Sequence, residues 1–131
     1  MPHATLIKKD QSKLVDLGTK KIYKYTAPDN KLEINRMEMF GRNPENPEHF
    51  ILETAVHFMI YVTSGTGRIY CDDEIFEVQV ADVVDVPQSV MFAAESTSTD
   101  FTYLVCETPA WFPEQASIVT KDGELVEQTK I

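Results

Sequence analysis

The chain has 131 residues, 43% of them apolar, with a formal net charge of −9 and an isoelectric point near 4.7. That length suits one domain, residues 1–131, with a core of its own, and an acidic surface that repels phosphates excludes nucleic acid as the expected partner. No apolar run follows the opening MPHATLIKKDQSK, and the least charged stretch, residues 54–66, is too short for a membrane helix. A cytoplasmic protein without membrane contact is expected, with Cys71 and Cys106 as free thiols.

A first short strand is expected at residues 5–7, within an N-terminal arm (residues 1–19) that starts a sheet or exchanges with a neighbouring subunit. KKIYKYT at 20–26 sets Ile22 opposite Tyr23 and Tyr25, the alternation of a strand. After a turn at Pro28, Asp29 and Asn30, residues 32–40 alternate again. Leu32, Ile34, Arg36, Glu38 and Phe40 share one face, and Met37 and Met39 lie on the other. Arg36 and Glu38 are either an exposed pair or polar groups lining a cavity. GRNPENP at 41–47 is a loop.

Residues 50–62 are apolar and β-branched, broken by Glu53, Thr54 and His57. The glycines of SGTG at 64–67 supply a tight strand connection. A hairpin around Asp72 and Asp73 follows, and Val83, Val84 and Val86 lead to a stop at Pro87. Strands are expected at 90–94 and 100–107. TPAWFPEQ then opens a C-terminal packing segment, residues 108–131, in which Trp111 and Phe112 clamp a subunit interface or close the mouth of a cavity. Asp122-Gly123 marks a final turn. About nine short, evenly spaced strands point to an all-β barrel or sandwich.

The order strand, SGTG, strand, acidic turn, strand, strand and proline over residues 57–87 resembles the core of a cupin. The resemblance spans roughly residues 30–110 and implies one antiparallel β-barrel of the jelly-roll type. Cupins carry a motif G-x5-H-x-H, then Glu, then Gly, and a second motif G-x5-P-x-G-x2-H-x3-N; their His and Glu side chains hold a divalent metal. With Gly65 as the last glycine of the first motif, the glutamate position falls on Phe58. The two histidine positions fall on Leu52 and Thr54, or on Ile51 and Glu53 with the longer spacing. With Pro87 anchoring the second motif, the glycines become Ala81 and Ser89, the histidine Phe92 and the asparagine Ser96. The ligand letters are nearly all replaced, so no metal or other cofactor is expected.

If Phe58 points inward, alternation carries Ile60 and Val62 inward, and Thr54 and Val56 with them. A ligand pocket formed by Thr54, Phe58, Ile60, Phe92 and Tyr103 is therefore the first expectation: a metal-free cupin binding a small organic molecule in an apolar cavity. The alternative is a metal-independent isomerase, epimerase or cyclase acting on a sugar or polyketide-like substrate, because the resemblance extends to cupins that use acid–base residues without a metal. Arg36, Glu38 and Tyr103 are its candidate catalytic residues, with His57, Tyr61 and Cys106 behind them; an inward Cys106 reads as a buried apolar thiol. A second alternative rebuilds a metal site from His49, Glu53 and His57. The outward His57, Met59 and Tyr61 suit a subunit contact, and the resemblance implies a homodimer.

Overall fold

The computed structural model describes residues 2–129. Their strands are β1 (Lys13–Asp16), β2 (Lys20–Thr26), β3 (Glu33–Met39), β4 (Arg42–Asn43), β5 (His49–Glu53), β6 (His57–Ser64) and β7 (Thr66–Cys71). β8 (Glu74–Gln79), β9 (Val83–Val86), β10 (Met91–Ser96), β11 (Thr102–Thr108), β12 (Ala116–Thr120) and β13 (Leu125–Gln128) complete them. Among the described residues the helical segments are two 3-10 turns, Lys9–Gln11 and Pro113–Gln115, and no helix is long and apolar enough to cross a membrane.

All pairing is antiparallel, in two sheets. One runs β1-β2-β3-β11-β6-β9; the other runs β13-β12-β5-β10-β7-β8, with the short β4 also against β10. The all-β jelly-roll architecture is thus built from two facing sheets with the core between them. Strand alternation decides what enters that core. In β6, Phe58, Ile60 and Val62 are buried, while His57, Met59 and Tyr61 are exposed. In β3, Glu33, Asn35, Met37 and Met39 are buried while Ile34 is exposed.

The chain changes sheets between β6 and β7 at Gly65, whose φ of +71° favours glycine and whose added Cβ would sit 2.8 Å from the Asp100 backbone. Two residues on, a Cβ at Gly67 would meet the Phe101 ring at 2.3 Å. Phe101 is fully buried, as are Val56, Val62, Ile69 and Val86.

Four expectations about the elements need correction. Residues 5–7 form no strand: Leu6 is exposed, and the first strand is β1, which pairs with β2 of its own chain, Leu14 opposite Tyr23. The apolar run 50–62 is two strands in different sheets, separated by a bend at Thr54 and Ala55. The loop 41–47 contains β4. The segment 108–131 contributes two strands, because β12 extends the sheet beyond β5 and β13 extends it beyond β12.

Candidate functional site

Towards the β1 and β13 ends, the two sheets enclose a cavity of about 410 Å³. Register arranges its inner wall. Across the six-stranded sheet, Thr26, Glu33, Glu107 and Phe58 stand side by side in one row, and Lys24, Asn35, Val105 and Ile60 in the next. Each row therefore runs from polar to apolar. The facing sheet supplies Ile51, Glu53, Phe92 and Ala116. Val15 and Leu17 lie on one rim, and Ile118, Glu127 and Thr129 on the other.

The apolar wall centres on Phe58 and Phe92, whose rings meet edge to face with centroids 4.8 Å apart. The polar wall is a network. Asn35 Nδ2 donates to Glu33 Oε1 at 3.0 Å and also to Glu107 Oε1. Thr26 Oγ1 donates to Glu33 Oε2 at 2.5 Å, and Lys24 Nζ lies 3.0 Å from Glu33 Oε1. Lys24 also sits over the Trp111 ring, 5.1 Å from its centroid. Across the cavity, Gln115 Nε2 donates to Glu53 Oε1 at 3.0 Å.

These surroundings push the carboxyl groups apart. Burial raises Glu107, and its hydrogen bond to Glu33 and the Glu33 charge raise it further, to about 9. Burial alone would raise Glu33 as well, but hydrogen bonds from Glu107, Thr26 and Asn35 and the Lys24 charge outweigh it and hold Glu33 below its ordinary value. Near neutral pH the pair is therefore one carboxylic acid beside one carboxylate. Burial also raises Glu53, against the opposing Gln115 hydrogen bond and the charges of Lys20 and Lys24. Lys20 is lowered to about 8 by burial, although Glu53 and Glu107 both pull it back up. A neutral acid on Glu107, a carboxyl group on Glu53 raised by burial and a weakened ammonium on Lys20 thus line one cavity. That is a set able to move protons on a bound molecule.

No family model and no curated protein matches the sequence. Solved structures do match. A variant of Streptomyces PAC13 with uridine superposes with a TM-score of 0.77 at 14% identity, over 91% of this chain and 93% of that one; Pac13 is a nucleoside dehydratase. KdgF from Halomonas sp. gives a TM-score of 0.66 at 12% identity over 83% of this chain and 96% of that one. An RmlC-like cupin from Shewanella frigidimarina gives 0.61 at 17% identity over 84% and 93%. The fold is that of the cupins.

In this cupin fold, the positions that hold a metal in the motifs line the cavity with the longer spacing: Ile51, Glu53, Phe58 and Phe92. Three of the four are hydrocarbon side chains, and the fourth is engaged by Gln115. That donor set does not fit a divalent metal. The displaced set does not fit one either. His57 points out of the six-stranded sheet and pairs with Asp85, Nε2 to Oδ1 2.6 Å, whereas Glu53 points inward from the other sheet. Among the described residues, no three His, Cys, Asp or Glu side chains gather into a metal-binding group.

The other candidate residues divide cleanly. Phe58, Ile60, Phe92 and Tyr103 line the cavity. The Tyr103 hydroxyl donates to the Met39 sulfur at 3.6 Å and burial raises its pKa, so the ring is wall rather than acid. Thr54 is exposed, because the bend after β5 breaks the alternation that would have turned it inward; Glu53 takes that place. Arg36 and Glu38 are on the outer face, Arg36 stacked 4.1 Å from the Tyr23 ring centroid and 3.9 Å from Glu38 Oε1. They are the exposed pair, not cavity groups. Tyr61 is on the same outer face, and so is Cys106, which is exposed rather than buried. Cys71 is the buried thiol, raised to about 11 by burial.

Sequence reasoning missed Lys20, Lys24, Glu33, Asn35 and Glu107. The signal was present in the period of two: Lys20, Ile22 and Lys24 share a face, as do Glu33, Asn35 and Met37. What hid it was that both faces of β3 mix polar and apolar residues.

Proposed function

We propose that this protein binds a small hydroxylated molecule of the nucleoside or sugar class in its cavity and acts on it by metal-independent acid–base chemistry, as a lyase or isomerase. The observation that carries the proposal is the proton-bearing Glu107 on one wall, with Lys20 on the same sheet and Glu53 facing them from the other, buried acid–base groups with shifted pKa values in one cavity. Supporting it, the cavity volume of about 410 Å³ falls within the range of roughly 300–1,000 Å³ usual for small-molecule sites. A cupin fold of this outline, Pac13, has uridine bound.

In an elimination, Glu53 as carboxylate takes a proton from carbon, the electron pair forms the new double bond, and the neighbouring C–O bond breaks. Glu107 gives its proton to the leaving hydroxyl, which departs as water. Proton exchange with solvent then returns Glu53 to carboxylate and Glu107 to acid. In an isomerisation the same two groups remove a proton from carbon and return one. Lys20, charged at neutral pH in most molecules, stabilises the anionic character that develops between them. The Phe58–Phe92 wall supplies the flat apolar surface against which a ring lies.

The test is incubation of the whole chain with uridine, its oxidised derivatives and a set of sugars in D₂O, followed by mass spectrometry. Water loss or deuterium uptake at carbon is expected for at least one compound. Glu53→Gln and Glu107→Gln are each expected to slow it roughly 10²–10⁴-fold. Binding without turnover or exchange would leave a binding protein, the reading that the aromatic wall on its own favours.

The acting unit in this reading is one domain in a cytoplasmic homodimer. The exposed Ile34, Met59, Tyr61 and Val83 on the outer face of the six-stranded sheet support contact with a second copy. Light scattering is expected to give twice the chain mass, and Tyr61→Glu to halve it.

A further inference from the structure

Among the described residues, two buried side-chain polar atoms have no hydrogen-bond partner: Asn35 Oδ1 and Thr129 Oγ1. Both residues line the same cavity. Unmet buried polar groups are rare in folded proteins, and each calls for a physical reason. Two of them on one cavity give that reason a place. We infer that Asn35 Oδ1 and Thr129 Oγ1 are the ligand-reading groups of the cavity, Asn35 accepting an N–H or O–H from the bound molecule and Thr129 bonding a second polar group nearer the mouth.

The orientation of the Asn35 amide follows from its neighbours. Asn35 is 2% exposed on β3, and its Nδ2 donates to Glu33 and to Glu107. A carboxylate only accepts, so the ionised Glu33 holds the amide nitrogen towards itself. Oδ1 is left as a fixed acceptor with both lone pairs free. It discriminates: a molecule presenting an acceptor there meets lone pair against lone pair, and one presenting carbon leaves a buried acceptor unsatisfied. Thr129 follows β13 on the rim, and its hydroxyl can rotate to donate or accept. It therefore tolerates either kind of group. The ligand is accordingly a molecule with a hydrogen-bond donor at its buried end and a second polar group at its outer end, the rest being flat or apolar against Phe58 and Phe92. A nucleoside has that pattern. An unsubstituted hydrocarbon ring and a fully alkylated polyol do not.

This inference rests on the cavity being the ligand site, and the experiment separates the two ideas. Calorimetry on the whole chain uses uridine as the probe, with analogues lacking, one at a time, the imide N–H and each ribose hydroxyl. Loss of one donor is expected to weaken binding to the wild type roughly 10- to 100-fold. Asn35→Leu is expected to bind uridine weaker by the same factor and to stop distinguishing it from that one analogue. Thr129→Val, a near-isosteric change at the end of an edge strand, is expected to cost roughly 3- to 10-fold and to leave the preference at Asn35 intact. Should Asn35→Leu not fold, the uridine complex itself decides, with a ligand donor within hydrogen-bond reach of Asn35 Oδ1. Tight uridine binding with every analogue equal, or a protein donor on Oδ1, overturns the inference and leaves the cavity reading standing. Uridine affinity unchanged by Ile118→Trp, which fills the cavity, or no binding by any of the probes, overturns both.

Discussion

The two ends of this sandwich share antiparallel pairing and pleat, yet they are built differently. Towards β6, β7, β8 and β9 Val62, Ile69, Val78, Val84 and Val86 are buried in one apolar cluster, joined by the thiol of Cys71, and Phe101 lies flush on Gly67. Towards β2, β3, β5 and β12 the same inward positions hold Lys20, Lys24, Glu33, Asn35 and Glu53, and the sheets stand apart around open space. A protein that buries Lys20 and several carboxyl groups pays in desolvation, and packed hydrocarbon there would be as stable or more so. The comparison teaches a division of labour. Stability is drawn from the packed end, which leaves the hollow end free to keep groups that cost stability, as the proposed acid–base site requires.

The largest expected effect breaks the packed end. Phe101→Ala should cost about 3–5 kcal/mol, since the cavity it leaves lies under a fully buried ring with rigid neighbours. Ile22→Ala, beside space that is already open, should cost less than half as much. Urea unfolding of both variants checks the contrast, and equal losses would remove the distinction between the ends.

The next effect depends on pH. The folded pKa of Glu107, about 9, lies above its ordinary value of 4.5. Its stabilising contribution is therefore complete below the unfolded value and is lost as pH rises towards the folded one. Lys20 runs the other way: held at about 8 from 10.5, its contribution is complete above the unfolded value and is lost as pH falls through that window. Glu107→Gln keeps an N–H donor towards Glu33 and removes the titration. It should gain on the wild type by at least about 1 kcal/mol as pH is raised from about 5 to about 8. Chemical denaturation across that range measures it, and a constant difference would mean that Glu107 is ionised in the fold.

The purely apolar inner faces were more legible in sequence than the polar ones, for a physical reason. An inward strand face made only of Phe58, Ile60 and Val62 declares itself, because no other placement hides so much hydrocarbon. β3 makes no such declaration. Period two separates Glu33, Asn35, Met37 and Met39 from Ile34, Arg36 and Glu38 correctly, but each set mixes polar with apolar. The exposed Leu32, Ile34 and Phe40 made the outer set look like the inner one. Alternation also fails silently where a strand bends without glycine or proline. The step from Glu53 to Thr54 is such a place, and it exchanged an inward carboxylate for an exposed hydroxyl. Glu107 was hidden differently: as the inward partner of Glu33 it is recognisable only once β11 is known to pair with β3.

A smaller effect sharpens the border between the ends and the outside. Trp111 closes one side of the cavity, and its ring lies under Lys24. Trp111→Ala should cost about 0.5–1 kcal/mol from the lost cation–π contact. It should weaken uridine binding several-fold while leaving the pH behaviour of Glu107 in place. Calorimetry beside denaturation separates the two readouts. A change in pH behaviour would mean that Trp111 shields the carboxyl pair from water as well.

The smallest expected effect comes from residues that the sequence alone made attractive. Arg36 and Glu38 are partly exposed on the outer face, and their nearest approach is 3.9 Å. At that distance and exposure solvent screens most of the attraction, and measured pairs of this kind are worth at most about 1 kcal/mol. The stacking of Arg36 on Tyr23 adds a similar amount at an exposed site. Arg36→Ala should therefore lower stability by less than about 1 kcal/mol and leave ligand affinity unchanged, whereas Lys20→Met, on the same sheet but on its inner face, should abolish turnover. Loss of affinity in Arg36→Ala would mean that the outer face takes part in binding. The division between a packed end and a working end would then have to include the surface of the sheet as well as its interior.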